Sequence, residues 1–216
     1  MTCSHFERDE IKVKMAKTNN KVGDKKKKKE AELYSAAYDL FITKGINSTV
    51  IDDIVKKAGV AKGTFYLYFK DKYDILHKLI LNKSNELIKK AVKETQEQKI
   101  EGFEDKVLYF IAYIIRFFKE NTLMLKLINK NFSWGVYRKA IMKPEQYEEV
   151  QEAVNFFIEG LMERGVEREE ANITLFMMIE LISSVCYSSI VLEEPAGIDE
   201  VTPILYEKVL LLMNCR

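Results

Sequence analysis

The chain has 216 residues, 47% hydrophobic, 31% charged and 11% aromatic, with a formal net charge of +1; this is material for one large globular domain or two small ones. Nine Gly and three Pro are too few turn-formers for a sandwich or barrel of many short strands, while the abundant Lys, Glu, Leu, Ala and Met favour helices, so an all-α fold is expected. Two His (His5, His77) and three scattered Cys (Cys3, Cys186, Cys215) leave little for a metal site or His-based catalysis; no cofactor is expected, and the odd, unclustered cysteines point to a reducing cytoplasm and not to a disulfide framework.

Residues 1–24 have mixed charge and no apolar period, and read as a flexible tail without the apolar stretch of a signal peptide. Lys25–Lys29 is a run of five lysines, read first as a solvated arm. Residues 1–72 hold 16 basic and 10 acidic side chains against 18 and 23 in the remainder. A basic front end on a near-neutral chain points to a local polyanion contact. Leu33, Ala37, Leu40 and Phe41 carry the period of a first helix, which Gly45 ends. Thr49-Val50-Ile51-Asp52 fits a capping box opening a second helix, with Ile51, Ile54, Val55 and Ala58 on its apolar face and Gly59 at its end. A short helix is expected over 61–69. Asp71-Lys72-Tyr73-Asp74 then caps a long helix reaching toward Glu97.

The second half continues the theme. Residues 103–119 are apolar nearly all round, Asn121 can cap a short segment to Asn129, and Pro144 suits the first turn of a helix that Gly165 ends. Residues 169–192 form a long apolar stretch, of which Leu175–Leu192 contains Glu180 and four serines and falls short of the ~20 apolar residues of a membrane span, so a buried or interfacial soluble helix is expected. Thr202-Pro203 is expected to open the last helix, with Leu205, Val209 and Leu212. The domain boundaries expected are therefore 25–72 and 73–216, after the tail.

Helix 51–57, a turn at Gly59 and helix 61–69 have the spacing of a helix-turn-helix, whose second helix enters the major groove N-terminus first. Lys62 is a cation at that helix start, Gly63 permits close backbone approach, Thr64 offers a small hydroxyl and a methyl, and Tyr66, Tyr68 and Lys72 can reach phosphates. Periodicity alone leaves open whether the tyrosines are core and the lysines mere decoration.

The string from Gly45 through Asp52-Asp53-Ile54-Val55 and Ala58-Gly59-Val60-Ala61-Lys62-Gly63-Thr64-Phe65-Tyr66-Leu67-Tyr68-Phe69 to Lys72 resembles the DNA-binding signature of TetR-family (tetracycline-repressor-like) regulators over roughly residues 30–80. The resemblance implies an N-terminal three-helix domain on near-palindromic double-stranded operator DNA. It also implies a homodimer and a C-terminal helical domain that binds a small effector and releases the DNA. Thr49, Ala61, Lys62, Gly63, Thr64, Tyr66, Tyr68 and Lys72 then fall on DNA-contacting positions. Ala61 stands where a capping Ser is usual, Leu67 replaces a His or Tyr, and Val50 replaces a Thr.

The effector expected is apolar or aromatic. Tyr109, Tyr113, Phe117, Phe118, Trp134, Tyr137, Phe156 and Phe157 are its candidate aromatic contacts, and Arg116 and Glu180 are lone charges in apolar stretches that either pair with each other or anchor the ligand. The dimer contact is expected on residues 174–192 with Val209 and Leu212. The rival reading is a helical small-molecule carrier without DNA binding. An enzyme lacks support: the sequence has no Gly-rich phosphate loop, nucleophile elbow or metal-spaced His/Cys cluster. Nothing adjoining the lysine run suggests a membrane-surface helix.

Overall fold

The computed structural model describes residues 25–131 and 148–214, with the side chains of 129–131 excepted. Among them every regular element is helical. They form two units, divided between Leu76 and His77, and each is built from its own apolar faces.

In the first unit, helix α1 (25–43) buries Leu33, Ala36, Ala37, Leu40 and Phe41, the stripe that a 3.6-residue period requires. It stops at Gly45, whose φ of +78° is open to glycine without a Cβ penalty. Helix α2 (Ile51–Ala58) buries Ile54 and Val55 and ends in a left-handed Gly59 (φ 68°). Its N-cap is Val50, not Thr49. The Thr49 hydroxyl turns inward and donates to the carbonyls of Gly45 at 2.8 Å and Leu40 at 3.4 Å, because the 45–48 turn folds back under it. Helix α3 is Lys62–Tyr66 only; Tyr68 and Phe69 both donate their N–H to Phe65 O, turning the chain where a longer helix was expected. Phe65 and Phe69 close this core, ring centroids 5.5 Å apart, with Tyr34 edge-on to Phe69 at 5.1 Å.

Helix α4 (Lys72–Glu97) starts as the sequence requires: Tyr73 and Asp74 donate their N–H groups to Asp71 Oδ1 at 2.8 Å, and Lys70 N donates to Asp74 Oδ2 at 3.0 Å. It runs on into the second unit. There α5 (Phe103–Glu120), α6 (Thr122–Asn131), α7 (Glu148–Met162), α8 (Arg168–Tyr187) with a π-turn at Ser188–Leu192, and α9 (Ile198–Asn214) follow. Helix α8 packs against α6, α7 and α9. Two local expectations change. The Asn121 amide donates back to Phe117 O at 2.9 Å, closing α5 instead of capping α6. Pro203 lies inside α9, which begins at Ile198 because that buried side chain anchors an extra first turn. The 25-residue run Arg168–Leu192 contains a window apolar enough, by length and composition only, to cross a membrane, a test that the core helix of a soluble protein also passes. The helix expected to begin near Pro144 starts outside the described residues.

Phe103, at the start of α5, stacks near Phe156 and Phe157 and under the Arg164 guanidinium, 4.6 Å from its ring centroid. The space for it exists because position 160 is glycine: a Cβ there would lie 2.2 Å from the Phe103 ring. Gly160→Ala is therefore expected to cost about 1–3 kcal/mol through overpacking, despite alanine's better helix propensity. Denaturant melts of the two proteins measure this difference. Cys186 is fully buried beneath α9, and burial pushes its thiol up to about 12, so it stays protonated and unreactive.

Candidate nucleic-acid interface and ligand cavity

The outer face of the first unit gathers most of the predicted DNA residues around one short helix. Ala61 is the N-cap of α3, extended (φ −71°, ψ 148°) and without a side chain to satisfy the free N–H groups of the first turn. Lys62, Gly63 and Tyr66 are exposed and Thr64 half-exposed. Among the described residues, nothing beyond the neighbouring backbone lies within 4 Å of the position a Gly63 Cβ would take. Lys62 Nζ pairs with Asp52 of α2 at 2.8 Å, and this hydrogen bond holds the ammonium pKa above its ordinary value. Both groups are solvent-exposed, so the pair is exchangeable for another anion. Val50 and Tyr66, each 53% exposed, and Leu67, 77% exposed, add apolar surface beside them. Ala61→Ser should supply the missing cap and stabilise the unit by about 0.5–1 kcal/mol, read as a higher Tm.

Three predicted contacts are placed differently. Thr49 is fully buried with its hydroxyl engaged inside, so its side chain does not face outward. Lys72 Nζ donates to the carbonyls of Ile46 at 2.9 Å, Thr49 at 3.0 Å and Asn47 at 3.3 Å. Those three acceptors match the three donors of an ammonium, so Lys72 fastens the 46–49 turn to the head of α4 instead of presenting its charge. The Tyr68 hydroxyl donates to Lys26 O at 3.1 Å, with the Lys26 ammonium 5.9 Å from its ring centroid, which ties the start of α1 to the turn after α3.

The second unit holds an elongated apolar cavity of about 560 Å³, within the ~300–1,000 Å³ usual for small-molecule sites. Leu87, Ile88 and Val92 of α4, Phe110, Ile114 and Phe118 of α5, Phe156 and Phe157 of α7, and Met178, Ile179 and Ile182 of α8 form its walls. Of the predicted ligand contacts, Phe118, Phe156 and Phe157 line it. Tyr109, Tyr113, Phe117, Arg116 and Glu180 do not, and Trp134 and Tyr137 lie outside the described residues. The physical reason is a rotation of α5: its Phe110–Ile114–Phe118 stripe faces the cavity, so Tyr109, Tyr113 and Arg116 fall on the outer side. There Arg116 sits 5.1 Å from the Tyr113 ring centroid and 3.8 Å from Glu94, whose carboxylate also lies 3.5 Å from the Tyr109 hydroxyl. Arg116 and Glu180 are both exposed and are neither a buried pair nor a ligand anchor. Val209, predicted at a dimer contact, is fully buried in its own unit. Sequence reasoning missed Lys106, which lines the cavity near the turn between α4 and α5. Among the described residues no group of three or more His, Cys, Asp or Glu could hold a metal.

Residues 33–79 match the family model of the tetR family of bacterial regulatory proteins. The fatty acid metabolism regulator protein of Bacillus subtilis (strain 168) is 36% identical over 73 residues, 34% of this chain and 38% of that protein. The HTH-type transcriptional regulator YhgD of the same organism, itself uncharacterized, is 25% identical over 154 residues, 69% of this chain and 78% of its own. Similar in fold is the transcriptional regulator FadR of Bacillus subtilis, solved in complex with stearoyl-CoA: TM-score 0.61 at 18% identity, over 85% of this chain and 97% of that one.

Proposed function

We propose that the chain, whose residues 33–79 match the family model of the tetR family of bacterial regulatory proteins, is a ligand-responsive DNA-binding regulator acting in the cytoplasm as a repressor. It binds near-palindromic operator DNA as a homodimer and releases it when an elongated, largely apolar effector fills the cavity of the C-terminal unit. The observation that carries the DNA reading is the N-terminal end of α3, where Lys62, Gly63, Thr64 and Tyr66 stand together on the surface and, among the described residues, a Cβ at Gly63 would meet nothing within 4 Å. That is the end which a recognition helix inserts into the major groove. Lys62 exchanges Asp52 for a phosphate, Gly63 lets the backbone approach, and the Thr64 methyl and hydroxyl reach base edges. The cavity supports the effector reading, and the fold shared with a regulator that holds stearoyl-CoA supports a long chain as occupant.

The dimer reading rests on exposed apolar side chains of the last two helices: Ile173 and Met177 on α8, Ile204 and Leu211 on α9. Water-facing apolar groups at helical spacing on adjacent helices suit a second copy. Light scattering should give a dimer at micromolar concentration.

The deciding experiment is selection of bound duplexes from random fragments, followed by titration of the selected site at several salt concentrations. Lys62→Ala is expected to weaken binding to all sequences and to lower the salt slope by about one unit, as loss of one phosphate contact requires. A parent protein that retains no duplex yet binds apolar compounds would instead make the chain a helical carrier.

A further inference from the structure

We propose that the cavity takes a single-chain amphiphile with an anionic head, and that Lys106 holds the head at the turn between α4 and α5. This deepens the effector reading above and rests on it.

The shape of the cavity comes from its walls. Along α4 the lining runs from Ser84 to Gln98, and along α5 from Lys106 to Phe118. At 1.5 Å per residue these are spans of about 21 Å and 18 Å. A site that long on two helices, walled by aromatic and aliphatic side chains, suits an extended chain better than a compact ring system.

Its positive charge is at one end. Helices α4 and α5 are joined by the short segment 98–102, so Gln96 and Gln98 at the end of one and Lys106 at the start of the other share one end of the cavity. The other polar members of the lining, Ser84, Thr95, Glu152 and Ser183, include no second cation. Lys106 has no carboxylate partner among the described residues, although other charges of this unit are paired, such as Lys119 with Asp199 and Arg164 with Glu104. An ammonium that borders an apolar wall without a counter-ion favours an anion that can complete its hydrogen bonds.

The acidic groups nearby do not cancel it. Asp105 borders a separate shallow depression with Tyr109 and Tyr206. Glu104 is held by Arg164 and Asn214. Glu152 also lines the cavity, one turn beyond Glu149, which is bound by Lys89 and Asn85 of α4, and one turn before Phe156, which packs on Phe103. Among the described residues it makes no ion pair with Lys106, and the head is placed by Lys106.

The test compares hexadecanoate, hexadecanoyl-CoA and uncharged hexadecanol as displacers of Nile red from the full-length dimer, in the parent protein, Lys106→Gln and Lys106→Arg. Both anions should displace the dye from the parent more tightly than hexadecanol. Lys106→Gln should weaken the anions by about tenfold, as expected for a lost charge-assisted hydrogen bond, leave hexadecanol within twofold, and be rescued by Lys106→Arg. The stronger of the two anions identifies the head, a free carboxylate or a phosphate-bearing thioester. Shortening the chain should cost about fourfold per methylene. Equal displacement by hexadecanoate, hexadecanoyl-CoA and hexadecanol, or anions unaffected by Lys106→Gln, would overturn the head-group assignment and leave the effector cavity standing. Displacement by none of the three, with operator binding intact, would overturn both.

Discussion

A Gly63→Leu variant is expected to fold at least as well as the parent protein and to lose specific operator binding by a factor of about a thousand or more. The two halves of this expectation have separate causes. A Cβ at position 63 meets nothing within 4 Å and the backbone there is not left-handed. Leucine also removes a glycine from a helix, worth roughly 0.8–1 kcal/mol in the helix's favour. On DNA the same side chain occupies the space between the first turn of α3 and the base edges, and closing that approach forfeits the specific mode, which exceeds non-specific binding by about 4–10 kcal/mol. Thermal melting and a shift assay on the selected operator, performed on one preparation, read both effects. Operator affinity equal to that of the parent would remove α3 from the groove.

The second large effect is on stability. Phe65→Ala should destabilise the N-terminal unit by about 3–5 kcal/mol, the range for emptying a buried aromatic site. Helix α3 has five residues and no side-chain cap, and a helix that short is unstable by itself in water. Its one buried residue is Phe65, fully enclosed and stacked with Phe69. Removing that ring takes away the anchor of the whole element, so DNA binding should fall with it. Tyr66→Ala, one position along and half-exposed, provides the control: the Tm should stay close to that of the parent. Denaturant melts of the two variants followed by circular dichroism separate an anchoring Phe65 from a merely adjacent one.

These two variants sit on the part of the chain that was most legible. The string from Gly45 to Lys72 carries a helix-turn-helix in its own local signals: glycines where φ turns positive, an apolar stripe at positions 54, 55 and 65, and Asp71 where a cap is needed. Each of these acts within a few residues, so the sequence contains the whole of its cause. Thr49 and Lys72 look like surface residues for the same local reasons, yet both point into the 45–49 turn. Their partners are backbone carbonyls up to 26 residues away, supplied only when α1 and α4 meet around that turn.

The C-terminal unit shows the opposite balance. Its helices follow directly from the sequence, because an apolar helix must be buried somewhere. Which side of α5 and α8 is buried does not follow. Helices that are apolar nearly all round carry almost no directional signal, so Tyr109, Tyr113 and Phe117 look as good as Phe110, Ile114 and Phe118. A turn of about 100° per residue separates the two sets. The sequence by itself determined the helices and the helix-turn-helix spacing around Gly59, consequences of short-range backbone and capping chemistry. Only the tertiary structure decided which stripe of α5 faces the cavity, that Arg116 and Glu180 reach solvent, and that Lys106 lines the cavity. Those are set by the rotation of each helix against its neighbours, a many-body packing result that no single segment encodes.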